Sequence, residues 1–249
     1  MNLTFDRNLF TQIGLDSASL TMLGTIVHSF SQPGEYRGVV HEGAQVKAVF
    51  TISVDKNSAN AQASVDLASL VLGPDASHPE NCPCCEGSSS KDRGPRTFVV
   101  NPRGYVLFHV SQGPGGYYVH VRRTDAEEED KGYDSRSLAE GDVFTAILLR
   151  PGAYSIINSL TGAKAELIVT YPKRGERRYR PPAPVRVVCH KKSFETDMLQ
   201  IDPGQGVIFE GREYSRIQIK LEKPDDGPKT KEPASPTGPI VPHAGTWWR

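Results

Sequence analysis

Residues 141–172, GDVFTAILLRPGAYSIINSLTGAKAELIVTYP, have the clearest strand pattern of the chain. Within this stretch, apolar and polar residues alternate in three runs, at 143–149, 153–158 and 165–171. Alternation with a period of two predicts half-buried β-strands. Pro151-Gly152 and Thr161-Gly162, which separate the runs, are typical of turns. This stretch therefore predicts three consecutive strands joined by short connections.

The same alternation recurs along the chain, at residues 46–54, 97–101, 105–111 and 117–122. The 249 residues include 19 Pro and 23 Gly, a content that favours many turns and short strands over long helices. We therefore expect an all-β protein.

A short phrase occurs twice, as Pro33-Gly34-Glu35-Tyr36 and as Pro151-Gly152-Ala153-Tyr154, each time before a pair of predicted strands. Pro-Gly reverses the chain, and a Tyr on the following strand can cover the end of an apolar core with its hydroxyl at the rim. The repetition predicts two related half-sandwiches.

Residues 141–172 also resemble the final strands of a cupredoxin-like domain. In that family a Phe-containing strand, a Pro-Gly turn, a Tyr strand, a loop and a last strand close the sandwich. The resemblance implies a β-sandwich of the cupredoxin or immunoglobulin-like type. Blue-copper members place Cys, His and often Met around the last loop. This chain has Ile156, Asn158, Leu160 and Ala163 there, so the resemblance argues against a type-1 copper site.

The first 30 residues have a different pattern from the rest of the chain. Asp16 and Ser17 can cap a helix, and the apolar residues that follow recur at helical spacing. These are Leu20, Leu23, Ile26 and Val27. We predict an N-terminal helix that packs on a sheet.

Composition divides the chain into five segments. They are a helical preface (1–30), a β-sandwich domain with a loop insertion at 73–96 (31–172), a basic, proline-rich linker (173–184), a small β segment (185–222) and a tail ending in Trp-Trp (223–249). The tail is charged and proline-rich with almost nothing to bury, so we expect it to be disordered.

Charge and cysteine content limit the classes of partner. Lys plus Arg and Asp plus Glu both total 29, so no global field attracts nucleic acid. No apolar run approaches the roughly 20 residues of a membrane span, and no secretory signal is evident at the N-terminus. Three of the four cysteines fall within residues 82–85, too close together to join distant strands. We expect a soluble, cytoplasmic protein that contacts neither membrane nor nucleic acid.

The cysteine cluster is the main candidate for a metal site. His78, Cys82, Cys84 and Cys85 offer sulfur and nitrogen donors that suit Zn²⁺ or Cu(I), and Cys189-His190 could complete the shell. The alternative is a surface loop with reduced thiols, because the C-x-C-C spacing lacks the second half of common zinc modules. On this alternative no cofactor is expected.

Two histidines and three carboxylates are weaker candidates. His109 and His120 fall in adjacent predicted strands that a hairpin could pair, which would bring both rings to one face. The carboxylates are those of Glu42, Asp55 and Asp66, which no spacing pairs.

Two segments are candidates for binding a partner. Both tryptophans of the chain lie at its end, in Trp247-Trp248-Arg249, and Trp and Arg are favoured as binding anchors. The linker carries Arg174, Arg177 and Arg178, which could bind an acidic surface.

These observations favour a non-enzymatic binding or structural subunit that docks on a protein partner, or on a copy of itself, through loops and the C-terminal aromatic peptide. A metal-binding or redox protein that uses the cysteine loop is the second hypothesis. The third is an enzyme whose site is assembled from distant strands, since the sequence shows no catalytic motif.

Overall fold

The strands of this protein form three β-sheets around one apolar core. The computed structural model describes residues 13–73, 96–125, 132–171 and 179–225. Its strands are β1 (Gly14–Asp16), β2 (Gly24–His28), β3 (Gly34–Glu42), β4 (Gln45–Val54), β5 (Gln62–Asp66), β6 (Arg96–Val100), β7 (Tyr105–His109), β8 (Tyr117–Arg123), β9 (Tyr133–Asp134), β10 (Val143–Ile147), β11 (Gly152–Asn158), β12 (Lys164–Val169), β13 (Val185–Cys189), β14 (Met198–Ile201), β15 (Gly206–Gly211) and β16 (Ile217–Pro224). A short helix, α1 (Leu67–Leu72), follows β5. The all-β prediction is confirmed.

The strands form a six-stranded sheet with the order β13-β15-β10-β2-β7-β5, which we call the central sheet, and two five-stranded outer sheets, β6-β4-β3-β8-β9 and β1-β16-β11-β12-β14. Phe50 of β4 and Phe108 of β7 place their ring centroids 6.3 Å apart, which joins the first outer sheet to the central one. Ile156 and Leu167 of the second outer sheet are fully buried in the same core. The layers are compatible with a β-sandwich.

The strand pairing of β2–β8 is repeated in β10–β16, so we call these strands the first and second half. In each half the second and third strands form an antiparallel hairpin, β3-β4 and β11-β12. The third strand pairs in parallel with the fifth, and the fourth pairs in parallel with the sixth. The two Pro-Gly-x-Tyr phrases occupy equivalent places, since each leads into the second strand of its half.

The two halves are related by an approximate two-fold rotation. Equivalent residues at the start of each half, such as Asp16 and Asp134, or Tyr36 and Tyr154, are 118 residues apart. The halves join where β2 pairs with β10, and there Ile26 is opposite Phe144, its own equivalent. A pair made of two equivalent residues must lie on the axis, so the axis passes between these side chains.

The segments before β2 and β10 exchange between the halves. Each contains the sequence Asp-Ser-x-Ser-Leu, at 16–20 and at 134–138. The first segment begins on β16 and ends on β8, whereas the second begins on β8 and ends just before β16. The backbone contacts are Ser17–Ile217, Leu20–Tyr117, Ser135–Val119 and Leu138–Ser215. This exchange ties the halves together on both sides of the axis.

Each Pro-Gly phrase carries the chain from the central sheet to an outer sheet. Gly34 and Gly152 have φ values of 146° and 150°, which side chains rarely adopt. The hydroxyls of Tyr36 and Tyr154 donate to the carbonyl oxygens four residues earlier, at 2.8 and 2.7 Å. Both rings are buried beneath these bonds, as expected for a tyrosine at the end of the core.

The predicted N-terminal helix is wrong for the described residues, while residues 1–12 lie outside them. Asp16 does accept a hydrogen bond from the Ala18 amide, as a helix cap would. However, Ser17 pairs with the last strand of the second half, and Gly24–His28 is the strand β2. Thr25-Ile26-Val27 is β-branched throughout and suits a strand. Pairing with β7 and β10 decided the outcome.

Residues 185–222, which the sequence sets apart as a small β segment, lie in the same sheets as the earlier strands. β13 and β15 extend the central sheet, and β14 and β16 belong to the second outer sheet. In the first half, β5 is followed directly by α1, because the Asp66 carboxylate accepts a hydrogen bond from the Ala68 amide and caps the helix. None of the helices in the described part of the chain is long and apolar enough to span a membrane.

Candidate functional site

A cleft in the described surface opens at the end of β2 that faces β9. Its volume is about 720 Å³. Its walls come from β2 and the turn after it, from β8 and β9, and from the connection between β15 and β16. The lining residues are His28, Ser29, Phe30, Ser31, Gln32, Tyr36, His120, Val121, Arg123, Gly132, Tyr133, Asp134, Ser137, Ala139 and Tyr214. We call it the His28 cleft.

His28 forms a hydrogen-bonded pair with a buried carboxylate. Its Nδ1 lies 2.5 Å from Oδ1 of Asp142, whose side chain is only 3% exposed. The second oxygen of Asp142 accepts the Ala139 amide at 2.7 Å. Asp142 directly precedes β10, so this pair spans the junction between the halves. The two residues are 114 positions apart in the sequence.

Tyr133 lies against the His28 ring. The two rings are stacked with centroids 3.8 Å apart, and Phe30 meets the same imidazole edge-on at 4.6 Å. Burial raises the pKa of Tyr133 well above its ordinary value, and the nearby carboxylates of Asp142 and Asp134 act in the same direction. The Tyr133 hydroxyl is buried and has no hydrogen-bond partner among the described residues. A buried polar atom left in this way costs about 1–3 kcal/mol, which an acceptor from water or a ligand would relieve.

Charged groups in the rest of the cleft wall are paired with one another. Arg123 donates two hydrogen bonds to Asp125 and one to the Gln32 side chain. Asp134 is partly desolvated, but hydrogen bonds from Arg136 outweigh this and lower the pKa of its carboxyl. The cleft therefore has little net charge, and aromatic rings form much of its wall.

The polar cluster is present at only one of the two equivalent ends of the β2-β10 junction. At the positions equivalent to His28, Asp142 and Tyr133, the two-fold relation places Ala146, Gly24 and Leu15. The pair His28–Asp142 at one end of the β2-β10 junction thus corresponds to Ala146–Gly24 at the other end. Since the same fold forms around the apolar set, the polar set is not needed to build it.

The geometry of His28 leaves one ring nitrogen for a ligand. With Nδ1 bonded to Asp142, the carboxylate fixes the ring orientation and the tautomer. No described residue bonds to Nε2, and the ring is 19% exposed at the cleft. With the proton on Nδ1, Nε2 of the neutral ring can accept a hydrogen bond from a ligand. Within the described ranges, no three His, Cys, Asp or Glu side chains are grouped closely enough to hold a metal ion.

The main metal-binding and partner-binding residues predicted from the sequence lie outside the described part of the chain. These are His78, Cys82, Cys84, Cys85, Arg174, Arg177, Arg178, Trp247, Trp248 and Arg249. Cys189, the suggested additional ligand, is buried in the core, and burial raises the pKa of its thiol to about 12. It is a protonated packing residue at neutral pH.

The expected pairing of His109 with His120 is wrong. His109 ends β7 in the central sheet and contacts the Ser64 hydroxyl, whereas His120 lies in β8 of an outer sheet. The chain crosses between layers at this connection, so it is no simple hairpin.

The three unassigned carboxylates have local structural roles. Asp66 caps α1, Asp55 accepts the Asn57 amide in a turn, and Glu42 pairs with Lys47.

Sequence reasoning missed His28, Tyr133 and Asp142. The repeated Pro-Gly-x-Tyr phrase held a usable signal, because aligning the copies without gaps sets His28 opposite Ala146 and Tyr133 opposite Leu15. A polar residue in one copy and an apolar one in the other marks a position that the shared fold does not fix.

Comparison with known proteins adds no further information about this site, since no family model, no curated protein and no solved structure matches the chain.

Proposed function

We propose that this protein is a non-enzymatic binding subunit and that the His28 cleft is its ligand site. The observation that carries the proposal is that the His28, Asp142 and Tyr133 cluster occurs at only one of the two equivalent ends of the β2-β10 junction. Buried polar groups are costly, and the equivalent end does without them. Their presence at a cleft is best explained by binding.

The lining indicates the chemistry of the ligand. A volume of about 720 Å³ is in the usual range for small-molecule pockets. Phe30, Tyr36 and Tyr133 supply apolar ring surface, while Nε2 of His28 and the Tyr133 hydroxyl supply hydrogen bonds. The cleft suits a group that combines an aromatic or flat apolar surface with a polar atom, either a hydrogen-bond donor for Nε2 of His28 or an acceptor for the Tyr133 hydroxyl.

The proposal is tested with small probes on the full-length chain carrying W247A and W248A, which removes both native indoles. Indole, phenol and inorganic phosphate are titrated while the histidine ring signals are followed by NMR. We expect indole or phenol to shift the His28 signals and to leave those of exposed His190 unchanged. If no probe moves His28, or if phosphate alone does so, the proposed ligand class is wrong.

A matched variant separates binding from structure. The substitutions H28A, Y133L and D142G together install the residue types of Ala146, Leu15 and Gly24, which occupy the equivalent positions at the other end of the junction. We expect this variant to fold with little loss of stability and to bind no probe. If it unfolds instead, the cluster serves the fold and the proposal fails.

We also propose that each half is a cupredoxin-like sandwich without a copper site. The mixture of antiparallel hairpins and parallel pairs, repeated in both halves, supports this assignment. A solved structure of the protein, superposed on known sandwiches, tests it.

A metal-binding function of the cysteine loop is the second candidate, with Zn²⁺ or Cu(I) as the ion. One observation favours it: residues 73–95 lie between α1 and β6, whereas only residues 190–197 separate β13 from β14 in the second half. The longer connection, which carries His78 and three cysteines, is thus another feature that the shared fold does not require. Metal analysis of the protein with and without C82S, C84S and C85S tests the candidate, and metal at background level would remove it.

For the setting and the partner, we propose the cytoplasm and a protein surface or a second copy of the chain. The free, buried thiol of Cys189 is compatible with a reducing compartment. Co-purification from cells with and without the truncation after Glu222 tests whether the tail carries partner binding.

A further inference from the structure

A second difference between the halves lies at the rim of the His28 cleft. The exchanged contacts Leu138–Ser215 and Leu20–Tyr117 are equivalent. Tyr214, which precedes Ser215, is therefore equivalent to Gly116, which precedes Tyr117. Tyr214 is 68% exposed, the largest exposure among the large apolar and aromatic side chains of the described chain. A tyrosine ring held in water where the fold accepts glycine provides a surface for stacking.

Tyr214 also lines a second groove, which shares Ala139 and Tyr214 with the His28 cleft. This groove is lined by Ala139, Glu140, Leu160, Thr161, Lys191, Arg212, Glu213 and Tyr214. Arg212 is engaged by Glu210 at 3.1 Å. Glu140 and Glu213 have no ion-pair partner within the described ranges, although Lys191 shares the groove. An aromatic group that reaches the cleft past Tyr214 would therefore meet carboxylates suited to a guanidinium.

The chain itself supplies a peptide of this chemistry. Trp247-Trp248-Arg249 combines two indoles with a guanidinium, and these are the only tryptophans of the protein. The described chain ends at Asp225, whose amide donates to the Pro151 carbonyl at 3.0 Å. Residues 226–249 follow from this anchor.

The length of that segment matches the distance it would have to cover. Asp225 lies at the far end of β16 from Tyr214, eleven residues along the chain, or at most about 36 Å at the rise of a strand. Residues 226–249 number 24, and a random coil of that many residues has an end-to-end distance of roughly 25–30 Å. The effective concentration of the peptide at its own cleft is then on the order of millimolar, which favours an intramolecular contact over an intermolecular one.

We propose that Trp247-Trp248-Arg249 occupies the His28 cleft of its own chain, with an indole against the aromatic wall and Tyr214 and with Arg249 beside Glu140 and Glu213. This inference rests on the proposed function, since it takes the cleft to be a ligand site. The tail then competes with any external ligand and limits binding until it is displaced.

Intrinsic tryptophan fluorescence tests the proposal, because it reports only on the tail. For the full-length chain we expect blue-shifted emission, protection from acrylamide relative to a free peptide of residues 243–249, and no change on dilution. Y214G, which installs the residue of the first half, should lower the ratio of docked to free tail roughly two- to tenfold, the equivalent of one aromatic contact. M198A removes an exposed apolar side chain on the opposite outer sheet and should change nothing.

Two results would overturn the intramolecular contact. Emission like that of the free peptide and insensitive to Y214G would show that the tail does not occupy the cleft. A blue shift that disappears on dilution would assign the contact to a second copy. Neither result touches the proposed function, which the probe titration in the W247A/W248A chain decides separately.

A peptide added in trans gives a second measurement. The synthetic peptide of residues 243–249 should bind the W247A/W248A chain and shift its His28 signals, and it should bind more weakly once Y214G is added. Binding that Y214G leaves unchanged would place the peptide elsewhere.

Discussion

The two halves of this molecule share a topology but differ in what they bury. Both have the same strand pairing, the same exchanged Asp-Ser-x-Ser-Leu segment and the same tyrosine bond at the end of the core. Only one of the two equivalent ends of the junction between them has the His28–Asp142 pair and the unpartnered Tyr133 hydroxyl. The comparison separates features that the fold requires from features that it only tolerates.

Core packing provides an independent comparison. In the first half Gly38 lies opposite Phe50, and a Cβ on Gly38 would overlap the Phe50 ring. In the second half the equivalent pair is Ile156 opposite Ala165. The large residue is on the third strand in the first half and on the second strand in the second half. The space between the two strands is therefore filled in both halves, but from opposite sides.

The largest expected effect comes from emptying that space. F50A should lower the free energy of unfolding by about 3–5 kcal/mol, because it leaves a cavity among fully buried side chains. Adding G38I installs the second half's arrangement and should recover a large part of the loss. Urea unfolding measures both variants. If the double variant is less stable than F50A, the two pairs are not interchangeable solutions.

Breaking the buried pair should have the next largest effect. H28A leaves the Asp142 carboxylate buried without its partner and should cost about 3 kcal/mol. The double variant H28A/D142G should lose less, since neither partner remains. H109A serves as the control and should stay within about 0.5 kcal/mol, because its ring is bonded only to the Ser64 hydroxyl at the surface. A double variant as unstable as H28A would mean that the polar pair stabilises the junction.

The exchanged segments should be equally sensitive in both halves. The hydroxyls of Ser17 and Ser135 are fully buried and accept the amides of Ile217 and Val119 at 3.0 and 2.9 Å. S17A and S135A each leave a buried amide unpaired and should each cost about 1–3 kcal/mol in chemical denaturation. Unequal costs would show that one exchanged segment matters more than its equivalent.

The smallest effect is expected at the tyrosine bonds. Y36F and Y154F remove one neutral hydrogen bond each and keep the buried ring, so each should cost about 1 kcal/mol. Differential scanning calorimetry of the two variants measures the difference between them. A larger cost for Y36F would indicate that this tyrosine also supports the His28 cleft, whose wall it forms.

The strands were predictable because their signal is local. Alternation at residues 46–54 and 143–149 corresponds to β4 and β10 with boundaries that differ by one or two residues. The prediction of an N-terminal helix was wrong because it used only the spacing of apolar residues between Leu20 and Val27, which fits a helix. The strands that pair with β2 lie far along the chain. Local spacing cannot report partners of that kind.

By itself, the sequence determined that this chain forms many short strands and that a Pro-Gly-x-Tyr unit begins two of its hairpins, since period-two alternation and turn residues act on neighbours along the chain. Only the tertiary structure decided how the strands divide among three sheets and where the two-fold axis runs. It also decided that His28 meets Asp142, 114 residues away. The physical reason is that a strand gains its stability from edges and faces supplied by distant segments, and those partners are chosen only when the whole core assembles.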